Sequence, residues 1–256
     1  MHKDLLASAV EFAKIGGEHT LRYFGKNLEV DFKSDESPVT VADRETEEII
    51  RDIIEQRFPD HGIVGEEFGA VRERSDYQWI LDPIDGTRSF IHGVPFYTTL
   101  IGLTYKKKAV AGVIYAPALR ELCAAAQNMG ATLNGEKCSV RNTSTLSEAT
   151  FLTTDMTLFR ELGYEKLLNA LLDSTRLHRT WGDAYGHMMV ATGRADIMFD
   201  PELNIWDAAA LLPVITEAGG IFSDMEGEET ISGGNGFSAN TELHPQIMKI
   251  IEQYRK

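Results

Sequence analysis

The chain has 256 residues, 43% hydrophobic and 25% charged, enough for a sizeable core in one large domain or in two lobes. Its formal net charge of -14 repels phosphodiester backbones and argues against a nucleic-acid partner. No apolar run approaches the roughly 18 residues that span a bilayer, and the opening residues lack a signal peptide's apolar core, so a cytoplasmic setting is expected with no membrane partner.

The first predicted element is an amphipathic helix over residues 4–24, with Leu5, Val10, Phe12, Ile15 and Leu21 at helical spacing and Gly25 as its stop. A second helix is expected from Thr40 to Phe58, where Ile49, Ile50, Ile53 and Ile54 share a side and Pro59 closes it. Gln78 to Leu81 then reads as a short buried strand. Phe96–Tyr105 and Val110–Ala116 are β-rich and joined across Lys106-Lys107-Lys108, a hairpin with its charges at the turn. Glu121–Ala126 continues the strands, and Asn134-Gly135 supplies another tight turn. Cys123 and Cys138 show neither metal-ligand spacing nor a disulfide framework, which suits a reducing compartment.

From about residue 148 the pattern alternates. Thr150–Thr154, Leu177–Trp181, Asp196–Phe199 and Gly236–Ala239 read as strands. Tyr164–Leu172, Ala184–Ala191, Asp207–Ala218 and Glu242–Tyr254 read as helices. Two lobes of one catalytic unit are therefore expected. Residues 1–140 form two helices and an antiparallel sheet, and residues 141–256 an α/β lobe with a more parallel sheet. A ligand belongs between them.

The chemistry concentrates at Trp79-Ile80-Leu81-Asp82-Pro83-Ile84-Asp85-Gly86-Thr87-Arg88-Ser89-Phe90. Asp, Pro and Gly are all turn formers, so Asp82 to Gly86 can be a turn and nothing more. Equally, two carboxylates at the end of a buried strand are hard ligands for Mg²⁺ or Mn²⁺. Gly86 permits an unusual backbone conformation, and Thr87 can open a helical turn whose free amides attract anions. Three further segments carry acids: Ile63-Val64-Gly65-Glu66-Glu67, Asn204-Ile205-Trp206-Asp207 and Thr40-Val41-Ala42-Asp43. Asp207 and Asp43 also have the spacing of helix caps, which need no ligand.

Taken in chain order, Val39-Thr40-Val41-Ala42-Asp43, Gly65-Glu66-Glu67, Asp82-Pro83-Ile84-Asp85-Gly86-Thr87 and Trp206-Asp207-Ala208-Ala209-Ala210 resemble the inositol monophosphatase family of metal-dependent phosphatases, and the similarity extends to Glu217-Ala218-Gly219-Gly220. The resemblance implies a layered αβαβα sandwich, of mixed α+β and α/β character, and a homodimer. By position it implies that Glu66, Asp82, Asp85, Asp207 and the carbonyl of Ile84 are metal ligands. Asp43 and Thr87 would orient and activate the attacking water, and the Gly86 and Thr87 amides would contact phosphate. The implied cofactor is Mg²⁺, roughly two or three ions with Mn²⁺ as an alternative, acting on a small-molecule phosphate monoester.

Inositol monophosphatases typically follow this aspartate block with Thr-Asn-Phe, whereas here it is Arg88-Ser89-Phe90. With Ile91-His92-Gly93-Val94-Pro95-Phe96 and Trp181-Gly182-Asp183-Ala184-Tyr185-Gly186, that departure is more similar to the family's histidinol-phosphate phosphatase branch. Histidinol phosphate carries an amine and an imidazole, both able to be cationic near neutral pH, for which Asp183 and Asp200 are suitable partners. Asp183 can alternatively cap a helix, Asp200 can belong to a turn before Pro201, and Arg88 can screen phosphate or form a surface ion pair. The expected reaction is hydrolysis of L-histidinol phosphate to L-histidinol and phosphate, a step of histidine biosynthesis. Inositol 1-phosphate or a broad range of phosphomonoesters is the alternative, followed by a nucleotide 3′-phosphate and by a non-catalytic phosphate sensor.

Overall fold

Apolar helix stripes and short β-rich runs sort the chain into five layers, described for residues 2–26, 30–32 and 38–254 of a computed structural model. The outer layer holds α1 (His2–Thr20), then the antiparallel pair β1 (Val30–Phe32) and β2 (Pro38–Thr40), then α2 (Val41–Arg57). Phe12 of α1 and Ile50 and Ile54 of α2, all fully buried, pack with Trp79, Ile101 and Val113 of the first sheet. Such one-sided stripes are what fix a surface helix to a sheet.

That sheet contains β3 (Gly62–Gly65), β4 (Gly69–Val71) and β5 (Tyr77–Asp85). After the single-turn helix α3 (Thr87–Ile91) come β6 (Thr98–Tyr105), β7 (Lys108–Ala116), β8 (Glu121–Ala126), β9 (Ala131–Leu133) and β10 (Glu136–Lys137). Their spatial order is β10-β9-β8-β7-β6-β5-β3-β4. Both expected hairpins form, with Lys106 and Lys107 at φ 49° and 67° and Asn134 and Gly135 at φ 51° and 86°. Two consecutive left-handed residues match the twist of the flanking strands. The expected all-antiparallel sheet needs a correction, because β3 runs parallel to β5. Strand β4 folds back along the outer edge of β3, so β5 returns in the direction of β3 on its other side.

The second half supplies β11 (Thr150–Leu152), α4 (Met156–Glu161), α5 (Glu165–Ser174), β12 (Leu177–Arg179) and α6 (Asp183–Ala191). It ends with β13 (Ile197–Asp200), α7 (Ile205–Glu217), β14 (Gly220–Ser223), β15 (Gly236–Asn240) and α8 (His244–Tyr254). In the order β12-β11-β13-β15-β14, the first three strands are parallel and β15 is antiparallel to both its neighbours. This sheet is therefore mixed too.

Helices α6 and α7 lie between the two sheets, touching Ile80, Leu100 and Ile114 on one side and Met198 and Phe222 on the other. The approach is close: a Cβ on Gly102 would lie 2.6 Å from the Ala209 side chain, and one on Gly112 would strike the Ala210 backbone. Helices α5 and α8 cover the far face of the second sheet through Leu167, Leu171, Ile247 and Ile251. The result is the expected layered αβαβα sandwich. Cys123 of β8 is buried against the central helices, Cys138 is half-buried, and both are free thiols. No described helix is long and apolar enough to cross a membrane.

Candidate active site

Asp82 and Asp85 do not sit on a loop after a short strand; β5 continues through both of them. In a regular strand residues three apart point to opposite faces. Here Asp82 pairs with Leu100 and Asp85 with Thr98, so two residues of β5, Pro83 and Ile84, stand against Thr99 alone. One extra residue makes a bulge, which restores the two aspartates to one side. A bulge also tolerates the proline, which has no N–H to offer a ladder. The carbonyl of Pro83 accepts from Thr99 Oγ1 at 2.9 Å, and that of Ile84 from Thr87 Oγ1 at 3.0 Å. Gly86 then adopts φ 77° and ψ 42°, the left-handed region, and opens α3 at Thr87.

Two more aspartates arrive by a shared device. Asp43 stands at the third position of α2, and its Oδ2 accepts from Thr40 N–H at 2.8 Å and Thr40 Oγ1 at 2.7 Å. Asp207 holds the same position in α7, with Oδ2 accepting from Asn204 N–H at 2.6 Å. The cap and site readings of both residues are compatible. Capping fixes each carboxylate in orientation; Asp207 lines the cleft, and Asp43 is buried where its charge is felt at Asp82. Oxygens of Asp82, Asp85 and Asp207 all lie within 4.8 Å of one another. Glu66 follows β3, its N–H donating to Leu81 O at 3.2 Å, and its charge is felt at Asp82, Asp43 and Asp207.

The remaining acids of the cleft come from the second half of the chain. Asp183, the first residue of α6, has φ 53°, which a short polar side chain tolerates. Its carboxylate lies against Gly86: a Cβ there would be 2.8 Å from Asp183 Oδ2. Gly182 is the N-cap of α6 and Asp183 is the acid of its first turn, so a helix-start role and a site role are both open to it. Thr154 joins the two acids, its Oγ1 donating to Asp200 Oδ1 at 2.6 Å and accepting from Asp183 N–H at 2.8 Å. Asp200 ends β13 instead of lying in a turn, and its Oδ2 is 3.2 Å from Nε2 of the fully buried His187. Arg88 is 73% exposed and pairs at 3.7 Å with Asp155 at the cleft edge. Asp85, Asp183, Asp200 and Asp207 line one cleft together.

Sequence reasoning missed the groups that hold these acids. Asp85 Oδ2 accepts from Thr98 Oγ1 at 3.0 Å and from the Ala184 N–H of α6 at 2.8 Å, so one carboxylate bridges the two halves. Thr154 was visible only as the end of a strand. Neither has a local signature, because their partners lie 13 to 99 residues away.

Crowding shapes the electrostatics. Burial, followed by the Glu66, Asp85 and Asp207 charges, pushes Asp82 well above the usual carboxylate range. Burial and then Asp183 do the same to Asp85. Burial raises Asp207 to about 8, and Asp43 and Asp183 each to about 7. Asp82 Oδ1 is buried with no hydrogen-bond partner. An orphaned carboxylate oxygen among mutually repelling acids suits a hard divalent cation, which would supply the missing partner and cancel the repulsion.

Fold and site together define a metal-dependent phosphomonoesterase. The sequence matches the inositol monophosphatase family over residues 1–256, and the chain belongs to that family. It is 42% identical over 248 residues to a histidinol-phosphatase of Chlorobaculum parvum, covering 96% of each chain. It is 33% identical to an inositol-1-monophosphatase of Mesorhizobium japonicum, covering 97% of this chain and 96% of that one. Among solved structures, an inositol monophosphatase from Zymomonas mobilis superposes with a TM-score of 0.88 at 31% identity, covering 98% of this chain and 99% of the other.

Proposed function

We propose that the chain hydrolyses L-histidinol phosphate to L-histidinol and phosphate, the reaction expected within histidine biosynthesis. The observation that carries this reading is the Asp183–Asp200 pair, two further acids that line the same cleft as Asp85 and Asp207. A substrate amine or imidazolium compensates such buried negative charge, whereas a neutral polyol leaves it uncompensated. Both oxygens of Asp200 are already engaged, so Asp183 takes the cation directly and Asp200 contributes charge behind it. The higher identity to the relative named for histidinol phosphate points the same way.

In this reading Glu66, Asp82, Asp85, Asp207 and the Ile84 carbonyl hold Mg²⁺, with Mn²⁺ as a substitute. Once held there, such ions would neutralise the phosphate, lower the pKa of water and stabilise the leaving oxygen. Thr87 Oγ1 spends its proton on Ile84 O and is left as an acceptor that orients the attacking water. Asp43, whose burial favours the proton-bound form more than in an ordinary carboxylate, takes that water's proton. The Gly86 and Thr87 amides, at the opening of α3, steady the phosphate. Arg88, at the rim, meets the incoming ester. Residues 1–140 and 141–256 act as two lobes of one cytoplasmic catalytic unit, assembled as a homodimer.

The test is phosphate release from histidinol phosphate, inositol 1-phosphate, adenosine 3′,5′-bisphosphate and p-nitrophenyl phosphate, each with Mg²⁺ and with chelator. Mg²⁺-dependent turnover fastest on histidinol phosphate is expected. Equal rates on the inositol ester would remove the specific assignment.

A further inference from the structure

We propose that Glu47, braced by Arg51, is a positioning residue that sets Glu66 at the metal site; this rests on the reading of Glu66 as a ligand. Glu47 lies one helical turn after Asp43 on α2, so both project from the same face. Its side chain is fully buried, and a carboxylate with no access to water needs an unusually complete set of partners.

Those partners all belong to the turn that follows Glu66, or hold that turn. Glu47 Oε2 accepts from Glu67 N–H at 2.8 Å, and Oε1 accepts from Phe68 N–H at 3.2 Å and from Arg51 Nε at 2.7 Å. The Arg51 guanidinium continues to the Gly69 carbonyl. Glu66 is thus fixed from both directions. Its own N–H is tied to Leu81 of β5, beside Asp82, and the next two amides are tied to α2. Gly65 completes the arrangement, since a Cβ there would strike Glu47 Oε1 and come within 2.8 Å of Arg51.

Packing does not require this. Helix α2 is already seated by Ile50 and Ile54, so an apolar residue at 47 would suffice merely to hold the helix. A carboxylate gives what packing cannot: two directed acceptors for adjacent amides. Arg51 balances its charge, so the clamp adds no net charge beside an already repulsive cluster. One helix thereby carries Asp43 and fixes the register of Glu66.

The experiment compares wild type, Glu47→Gln and a core control in the outer layer, Ile251→Val. Mn²⁺ binding to metal-free protein is followed by electron paramagnetic resonance, and hydrogen exchange is read in the peptide spanning residues 66–69. Gln presents a donor at one of its two ends, so it cannot satisfy both Glu67 and the Phe68–Arg51 side. Mn²⁺ affinity is expected to fall about 10- to 100-fold in Glu47→Gln, with faster exchange in that peptide, while Ile251→Val leaves affinity unchanged. Folded Glu47→Gln protein that binds Mn²⁺ within about twofold of wild type overturns the positioning role alone. Wild type that binds no Mn²⁺ overturns the metal-site reading and this proposal with it. Should Glu47→Gln fail to fold, metal-free wild type decides: the Glu67 and Phe68 amides are expected to be protected, and rapid exchange there contradicts the clamp.

Discussion

At one end of the cleft, Asp82 and Asp85 stand three residues apart on a single strand and are brought to one side by a bulge between them. At the other, Asp183 opens α6 and Asp200 closes β13, and they meet through the hydroxyl of Thr154. The first end is a local construction and the second a tertiary one. On the proposed reading the local acids serve the phosphate and the tertiary pair the leaving group, and the two are coupled. Asp85 is where the two ends join, since its Oδ2 is held by both Thr98 and the start of α6.

Breaking the local end should have the largest effect. Asp85→Asn removes a carboxylate from the cluster and leaves an amide facing the Ala184 N–H. Turnover on every phosphate ester is expected to fall roughly a thousandfold, equivalent to about 4 kcal/mol of barrier, with the circular dichroism spectrum unchanged. Full activity in that variant would remove Asp85 from the chemistry.

A gentler test uses pH. Asp43 and Asp183 at about 7, Asp207 at about 8, and Asp82 and Asp85 above their usual range are all raised relative to an unfolded chain near ~4. Between those limits the native protein binds more protons than the unfolded one, so stability is lost as pH rises through the folded values. In chelator, the melting temperature is expected to decline from about pH 5 to about pH 8. Added Mg²⁺ should raise it more at the alkaline end, because binding requires the deprotonated acids. A melting temperature in chelator that does not change with pH would contradict the crowded-acid picture.

The same contrast explains what could be read from the sequence. The aspartate block and the caps at Asp43 and Asp207 were legible because each lies within a few residues of its structural cause. That β5 runs on through Pro83 was not, because a proline in a strand reads as a stop until the bulge opposite Thr99 is seen. Strands β1, β4 and β14 escaped because three or four residues carry too little periodicity. Thr98, Thr154 and Glu47 were invisible for another reason. Each acts on a group 13 to 46 residues away, and nothing in its own neighbourhood marks it. Asp200 was legible as an acid near the site, but its engagement with Thr154 and His187 was not.

The central claim is that the tertiary end of the cleft selects a cationic leaving group. It is tested most directly by kcat/KM for histidinol phosphate and for inositol 1-phosphate in wild type and Asp183→Asn. Losing one charged contact to the substrate cation should lower the histidinol value about 10- to 100-fold and leave the inositol value nearly unchanged. Parallel losses on both esters would contradict it.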